Sequence, residues 1–150
     1  MMEEKEKAWK TVSSKYLFRR PWLTVRCEDM LLPNGNHIPE YYILEYPDWV
    51  NTIAITKDGK FVFVRQYRPG LGRTSYELCA GVCDKEDASP LVSAQRELWE
   101  ETGYGKGNWQ EYMVISANPS THTNLTHCFL ATDVEPIDHQ HLEDTEDLSV

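Results

Sequence analysis

The chain has 150 residues, enough for one domain with a real core, and 41% of them are hydrophobic, in the range of folded proteins. Fifteen basic against twenty-four acidic side chains leave a net charge of −9, which argues against nonspecific attraction to nucleic acid or an anionic membrane as the main purpose. No apolar run approaches the roughly 20 residues of a membrane span, and the opening MMEEKEKAWK lacks the apolar core of a signal peptide, so a cytoplasmic protein is the default.

Residues 1–15 are polar and mixed in charge, and they read as a frayed start. In FRRPWLTVRCEDMLLPNGNHIPEYYILEY two extended stretches meet at Pro33-Asn34-Gly35-Asn36, where Asn-Gly supplies the positive φ angles of a tight hairpin turn. VNTIAIT and FVFVRQYR, joined through Asp58-Gly59, repeat that logic. The second run is apolar on both faces at its start, so a central strand is expected. TSYELCAG is a shorter strand candidate ending at Gly81.

A helix follows, marked by Ser89 as N-cap, Pro90 at the first helical position and Gly103 just past the end. Leu91, Ala94, Leu98 and Thr102 make one face; Arg96, Glu97, Glu100 and Glu101 gather on the other. EYMVISA and THCFLATDV then read as strands separated by the polar loop NPSTHTNL. From Asp133 onward the tail holds seven acidic residues and no lysine or arginine. Cys27, Cys79, Cys83 and Cys128 form no CxxC pair and read as free thiols. His122, His127, His139 and His141 read as solvated histidines of polar segments rather than as a metal site.

The helix end poses a physical question. A helix C-terminus carries partial negative charge, so each carboxylate in the last turn costs about 0.3–1 kcal/mol, and like charges one turn apart cost a few tenths more. Arg96 is spaced to answer Glu100 but not all three carboxylates. A bound divalent cation resolves the repulsion, because Glu97 and Glu101 lie one turn apart with Glu100 beside them. With no histidine or cysteine interleaved, magnesium or manganese suits the donors and zinc does not. A merely solvated acidic face is the alternative.

Gly81 and, fifteen positions on, RELWEETGY (Arg96 to Tyr104) resemble the box of the Nudix hydrolases, in which a glycine and a loop glutamate precede Arg-Glu-apolar-x-Glu-Glu-x-Gly-apolar. The second half matches at every specified position. The first half departs by one extra residue in the loop, which puts the loop glutamate near Glu86 or Asp87 and implies altered loop geometry, with reduced activity left open. VRQYRPG and YELCAG before the box, and Asn-Pro-Ser followed by THCFLATDV after it, resemble the branch that cleaves ADP-ribose and related nucleoside diphosphate sugars.

The resemblance implies an α/β fold, a Nudix-type α/β/α sandwich with a mixed sheet over 46–150, preceded by a small antiparallel segment over 1–45 that pairs a homodimer. It implies Mg2+ or Mn2+ held by Glu97, Glu100, Glu101 and the backbone carbonyl of Ala80, and a small nucleoside diphosphate as substrate. Arg68 stands where that branch has a phosphate-binding arginine, although an ordinary surface arginine fits the residue equally well. Trp22 stands where some members stack adenine, with Tyr41 as its companion; core packing is the commoner fate of a tryptophan. Glu143 or Asp144, with Glu146 behind them, stands where a mobile acidic loop supplies a general base, and otherwise reads as part of a solvated acidic run. Family members continue into a further strand and a closing helix beyond Val150, so the sequence is either a fragment or an unusually short domain; if it is truncated, an apolar sheet edge and a helix-binding surface are expected to be exposed. Two rival functions remain: hydrolysis of another nucleoside diphosphate derivative, and nucleotide binding or regulation without catalysis.

Overall fold

The computed structural model of the protein describes residues 7–150. The expected frayed start lies outside the described residues over 1–6; over 10–15 it is overturned, because those residues belong to an eleven-residue strand, β1 (Lys10–Arg20). Chain contacts divide the molecule into two compact units, residues 1–46 with 117–124, and residues 47–116 with 125–150.

The first unit is an antiparallel three-stranded sheet in the order β1-β2-β3, with β2 at Leu23–Leu31 and β3 at His37–Glu45. The expected turn joins β2 to β3: Gly35 has φ 86°, and Leu32 and Asn36 close the loop with a 2.8 Å backbone hydrogen bond. Every residue of β1 is exposed, apolar and polar alike, which is why its sequence shows no alternation. Segment 117–124 joins this unit through Leu44, whose N–H donates to Thr121 O at 2.8 Å and whose carbonyl accepts from Thr123 N at 3.1 Å.

The second unit carries a mixed sheet. β4 (Trp49–Thr56) runs parallel to β11 (Thr126–Pro136), with Ala54 opposite Ala131, and these two buried strands form its centre. β10 (Asn108–Ile115) flanks β11, and the short β9 (Tyr104–Gly105) pairs with the end of β11. Both β5 (Phe61–Val62) and β8 (Cys79–Val82) pair antiparallel with β4. β6 (Val64–Arg68) and β7 (Arg73–Glu77) form a hairpin that β12 (Leu148–Ser149) extends.

FVFVRQYR is therefore not one central strand. It breaks at Phe63 into β5, at the edge of the mixed sheet, and β6, between β12 and β7. Val62 and Val64 are buried while Phe61 and Phe63 are exposed, so the doubly apolar start marks an outward aromatic face rather than burial on both sides. TSYELCAG breaks likewise at Leu78 into β7 and β8.

The helix α1 (Pro90–Thr102) has the expected ends: Ser89 Oγ accepts from Val92 N at 3.4 Å, and Gly103, at φ 72°, donates to Trp99 O at 2.8 Å. Among the described residues α1 is the one helix, and it packs on β4, β8, β9 and β11. Leu98 and Ala94 are fully buried there; Leu98 packs with Ala54, Val62, Cys79, Ala131 and Val134, and Ala94 with Val50 and Phe129. All four cysteines are free. No helix among the described residues is long and apolar enough to cross a membrane.

Candidate active site

Positions 94, 98 and 101 follow the four-then-three spacing of a single helical stripe, so Glu101 is carried into the buried face with Ala94 and Leu98. It is 5% exposed, which corrects its expected place on the polar face beside Arg96. Its Oε2 accepts from Ala80 N at 3.3 Å. Burial raises its pKa to about 7, with the charges of Glu97 and Glu146 adding to the effect and the Cys79 and Ala80 hydrogen bonds opposing it.

Glu97 lies one turn earlier over the same strand. Its Oε1 accepts from Val82 N at 3.2 Å and from Arg96 Nη1 at 3.0 Å. Burial raises its pKa too, against the pull of Arg96. Between these two contacts lies Gly81, where a Cβ would stand 2.0–2.3 Å from the Glu97 carboxylate atoms. Only a glycine lets the carboxylate approach the backbone this closely.

Arg96 does more than answer Glu100. Its guanidinium bonds Glu100 Oε2 at 2.9 Å, Glu97 Oε1 at 3.0 Å, Asp87 Oδ2 at 3.0 and 3.1 Å and Val82 O at 3.0 Å, and it pairs with Asp84 at 3.1 Å. Burial works against its charge, but the Asp87 hydrogen bond and the charges of Glu97 and Glu100 outweigh that, and its pKa is raised. Asp87 is thus the loop carboxylate that reaches the arginine, and Asp84 joins it. Neither partnership was readable from spacing, because a loop with an inserted residue sets both distances.

Arg68, at the end of β6, is held by Glu77, which accepts from Nε at 3.0 Å and from Nη2 at 2.7 Å. The Glu77 hydrogen bond raises its pKa against burial, and the charge of Glu101 adds to the effect. Arg68 and the Ala80, Gly81 and Val82 backbone line one cleft of about 520 Å3, with Trp49, Val50, Asn51 and Thr126. A larger cleft, about 620 Å3, lies away from these carboxylates against Lys57, Phe61, Phe63, Tyr76 and Glu135. The smaller cleft is the better candidate, because the carboxylates with raised pKa values, Glu97 and Glu101, and the glycine cradle adjoin it.

Glu143 and Asp144 lie in an exposed turn, closed by Glu146 N donating to Glu143 O at 2.9 Å and Glu143 N donating to Glu146 Oε2 at 3.0 Å. Glu146 is the loop carboxylate whose charge contributes to raising the pKa of Glu101. In the first unit, Trp22 sits at the β1–β2 turn and is 81% exposed, so core packing does not account for it. Tyr41 meets Trp9 edge-on at 5.6 Å and donates its hydroxyl to Ser120 O. It pairs across the sheet with Glu28, six residues from Trp22. At about 3.3 Å per residue that is roughly 20 Å, so the two do not form one stacking site within the unit.

The donor set fits a hard divalent cation. Glu101 is buried and Glu97 half-buried, both with raised pKa values, and a third carboxylate, Glu100, adjoins them, so the cluster carries more negative charge than Arg96 neutralises. The three do not place one oxygen each within 4.8 Å of the others; with Arg96 among them, the carboxylates are spread.

A family model described as the NUDIX domain matches residues 46–149. The chain belongs to the Nudix family. A second model, the nucleoside diphosphate sugar hydrolase N-terminal domain, matches residues 9–44 and places the chain in the nucleoside diphosphate sugar branch of Nudix hydrolases. Over 129 residues the chain is 32% identical to the ADP-ribose pyrophosphatase of Bacillus subtilis (strain 168), covering 86% of this chain and 69% of that protein. It is 33% identical to the methanol dehydrogenase activator of Bacillus methanolicus, over 81% of this chain and 65% of that one. It is 28% identical to the ADP-ribose pyrophosphatase of Mycobacterium tuberculosis, over 88% and 63%. The chain thus spans about two thirds of the length of these relatives. A solved structure described as an ADP compounds hydrolase superposes with a TM-score of 0.80 at 23% identity, over 94% of this chain and 75% of that chain, and supports the Nudix fold.

Proposed function

We propose that this Nudix hydrolase cleaves the pyrophosphate bond of ADP-ribose or a related nucleoside diphosphate sugar to AMP and a sugar phosphate, in the cytoplasm and with Mg2+ or Mn2+. The observation that carries this reading is the carboxylate pair of buried Glu101 and half-buried Glu97, held against the same Ala80–Val82 backbone that lines a cleft with Arg68. Glu97, Glu100, Glu101 and the Ala80 carbonyl would hold the metal, which lowers the pKa of attacking water and neutralises phosphate charge when bound.

The residues of the chain supply the rest. Arg68 offers Nη1 to a phosphate oxygen while Glu77 holds its Nε and Nη2, which fixes the plane of the fork. Arg96 positions Glu97 and Glu100. A carboxylate of the loop, Glu143 or Asp144 by resemblance and Glu146 by its effect on Glu101, accepts the proton of the attacking water. Trp22, exposed at its hairpin tip, offers a face for adenine. With ADP-ribose and magnesium, chromatography is expected to show AMP, and chelator to abolish it. Metal-dependent nucleotide binding without AMP would favour the second reading, a regulatory module, which the likeness to a methanol dehydrogenase activator supports.

Residues 1–45 serve in this reading as a homodimerisation segment beside a catalytic domain at 46–150. The support is β1, which exposes Val12, Tyr16, Leu17 and Phe18, a set of side chains typical of interface cores. Light scattering on the full chain is expected to give twice the monomer mass; a monomer mass would exclude the pairing.

A further inference from the structure

The segment after β11 folds back over the C-terminal end of α1. Ile137 N and Asp138 N donate to Gly103 O at 2.9 and 3.1 Å, Gln140 Nε2 donates to Glu101 O at 2.7 Å, and His141 N donates to Glu100 O at 2.8 Å. Gly103 permits this close approach, since a Cβ there would stand 2.3 Å from Asp138 O. These bonds occupy carbonyls that a helix end otherwise leaves to water, and they fix the backbone of residues 137–141.

On that fixed backbone Asp138, His139 and His141 each bring one ligand atom within 4.8 Å of the other two. Asp138 Oδ1 is 2.7 Å from His139 Nδ1, and Oδ2 is 3.0 Å from His141 Nε2. The imidazole centroids are 4.4 Å apart. His141 stacks on Trp99 of α1 at 4.2 Å and 30°, which restricts its ring.

We propose that Asp138, His139 and His141 form a binding site for a borderline divalent transition-metal cation, of the zinc, nickel or copper class, separate from the glutamate site. Two imidazoles and one carboxylate are the donors such ions prefer, whereas magnesium takes oxygen ligands and dehydrates reluctantly. Three protein ligands leave positions for water, as in open zinc sites. The carbonyl end of α1 adds partial negative charge beneath the site. The ligands are tied through the same loop to the backbone of Glu100 and Glu101, so a cation here stiffens the end of the Nudix helix.

Nickel is the probe, because it quenches indole emission and Trp99 lies against a ligand. The full chain, with excess magnesium present, is titrated with Ni2+ while tryptophan fluorescence is followed. The expected result is quenching that saturates at one ion per chain and is missing from the Trp99→Phe emission. The highly exposed His139 can be replaced without disturbing the core, and His139→Ala and Asp138→Asn are each expected to weaken the apparent affinity at least ~10-fold. Glu97→Gln is expected to leave it unchanged. Quenching that never saturates, or that His139→Ala leaves intact, overturns the site. Loss of quenching in Glu97→Gln also overturns it and moves the cation to the glutamates.

Discussion

Replacing Glu101 with glutamine is expected to cut ADP-ribose hydrolysis by a factor on the order of 10²–10⁴ and to make the metal-free protein more stable at pH 8 than the wild type. The two effects have one cause. Glu101 is buried beneath β8, and its folded-state pKa is about 7 against 4.5 for an unperturbed glutamate. A raised folded pKa means that its contribution to stability is fully present below the unfolded pKa and is lost as pH rises through the folded one. Metal-free wild type therefore loses stability between about pH 4.5 and 7, a loss on the order of 1–3 kcal/mol, and the glutamine variant does not.

A cation bound at the proposed site would withdraw that penalty, since it would bind the ionised carboxylate. Magnesium should raise the melting temperature of the wild type more at pH 8 than at pH 5, and do little to the variant. Thermal melts at the two pH values, with and without Mg2+, together with the AMP assay, check the whole prediction. A variant that retained wild-type turnover would remove Glu101 from the chemistry.

Gly81→Ala is expected to lower turnover on the order of 100-fold while leaving the fold intact. The added Cβ would overlap the Glu97 carboxylate, with 2.0 Å to Cδ and 2.2–2.3 Å to the oxygens. The clashing atoms are the far end of a flexible side chain rather than backbone, so the carboxylate swings away and the strand stays in place. Swinging away breaks the bond from Val82 N and draws the carboxylate off the cleft backbone. Circular dichroism and melting temperature should change little while kcat falls and the apparent metal requirement rises. An unfolded variant, or an active one, would each contradict this account of the cradle.

The elements marked by turn and cap chemistry were legible in the sequence. Asn34-Gly35, Asp58-Gly59, Ser89-Pro90 and Gly103 all sit where their backbone preferences put them. β1 was not legible, because a strand exposed on both faces has no reason to alternate. The burial of Glu101 was readable in principle from the 94–98–101 stripe, but the residue type argued for solvent. The donor set at 138–141 was hidden for another reason: three polar residues in a loop look solvated until the helix end that fixes them is known.

Residues 117–124 are carried between β10 and β11 yet are tied by two backbone hydrogen bonds to Leu44 of β3. A fragment starting at residue 47 would retain both flanking strands and lose the clamp on the insertion between them. Those eight residues would then be the first place a protease cuts. Residues 9–44 and 46–149, though matched by separate family models, are therefore not cassettes to be expressed apart, and protection of the 117–124 backbone reports on whether the N-terminal sheet has folded.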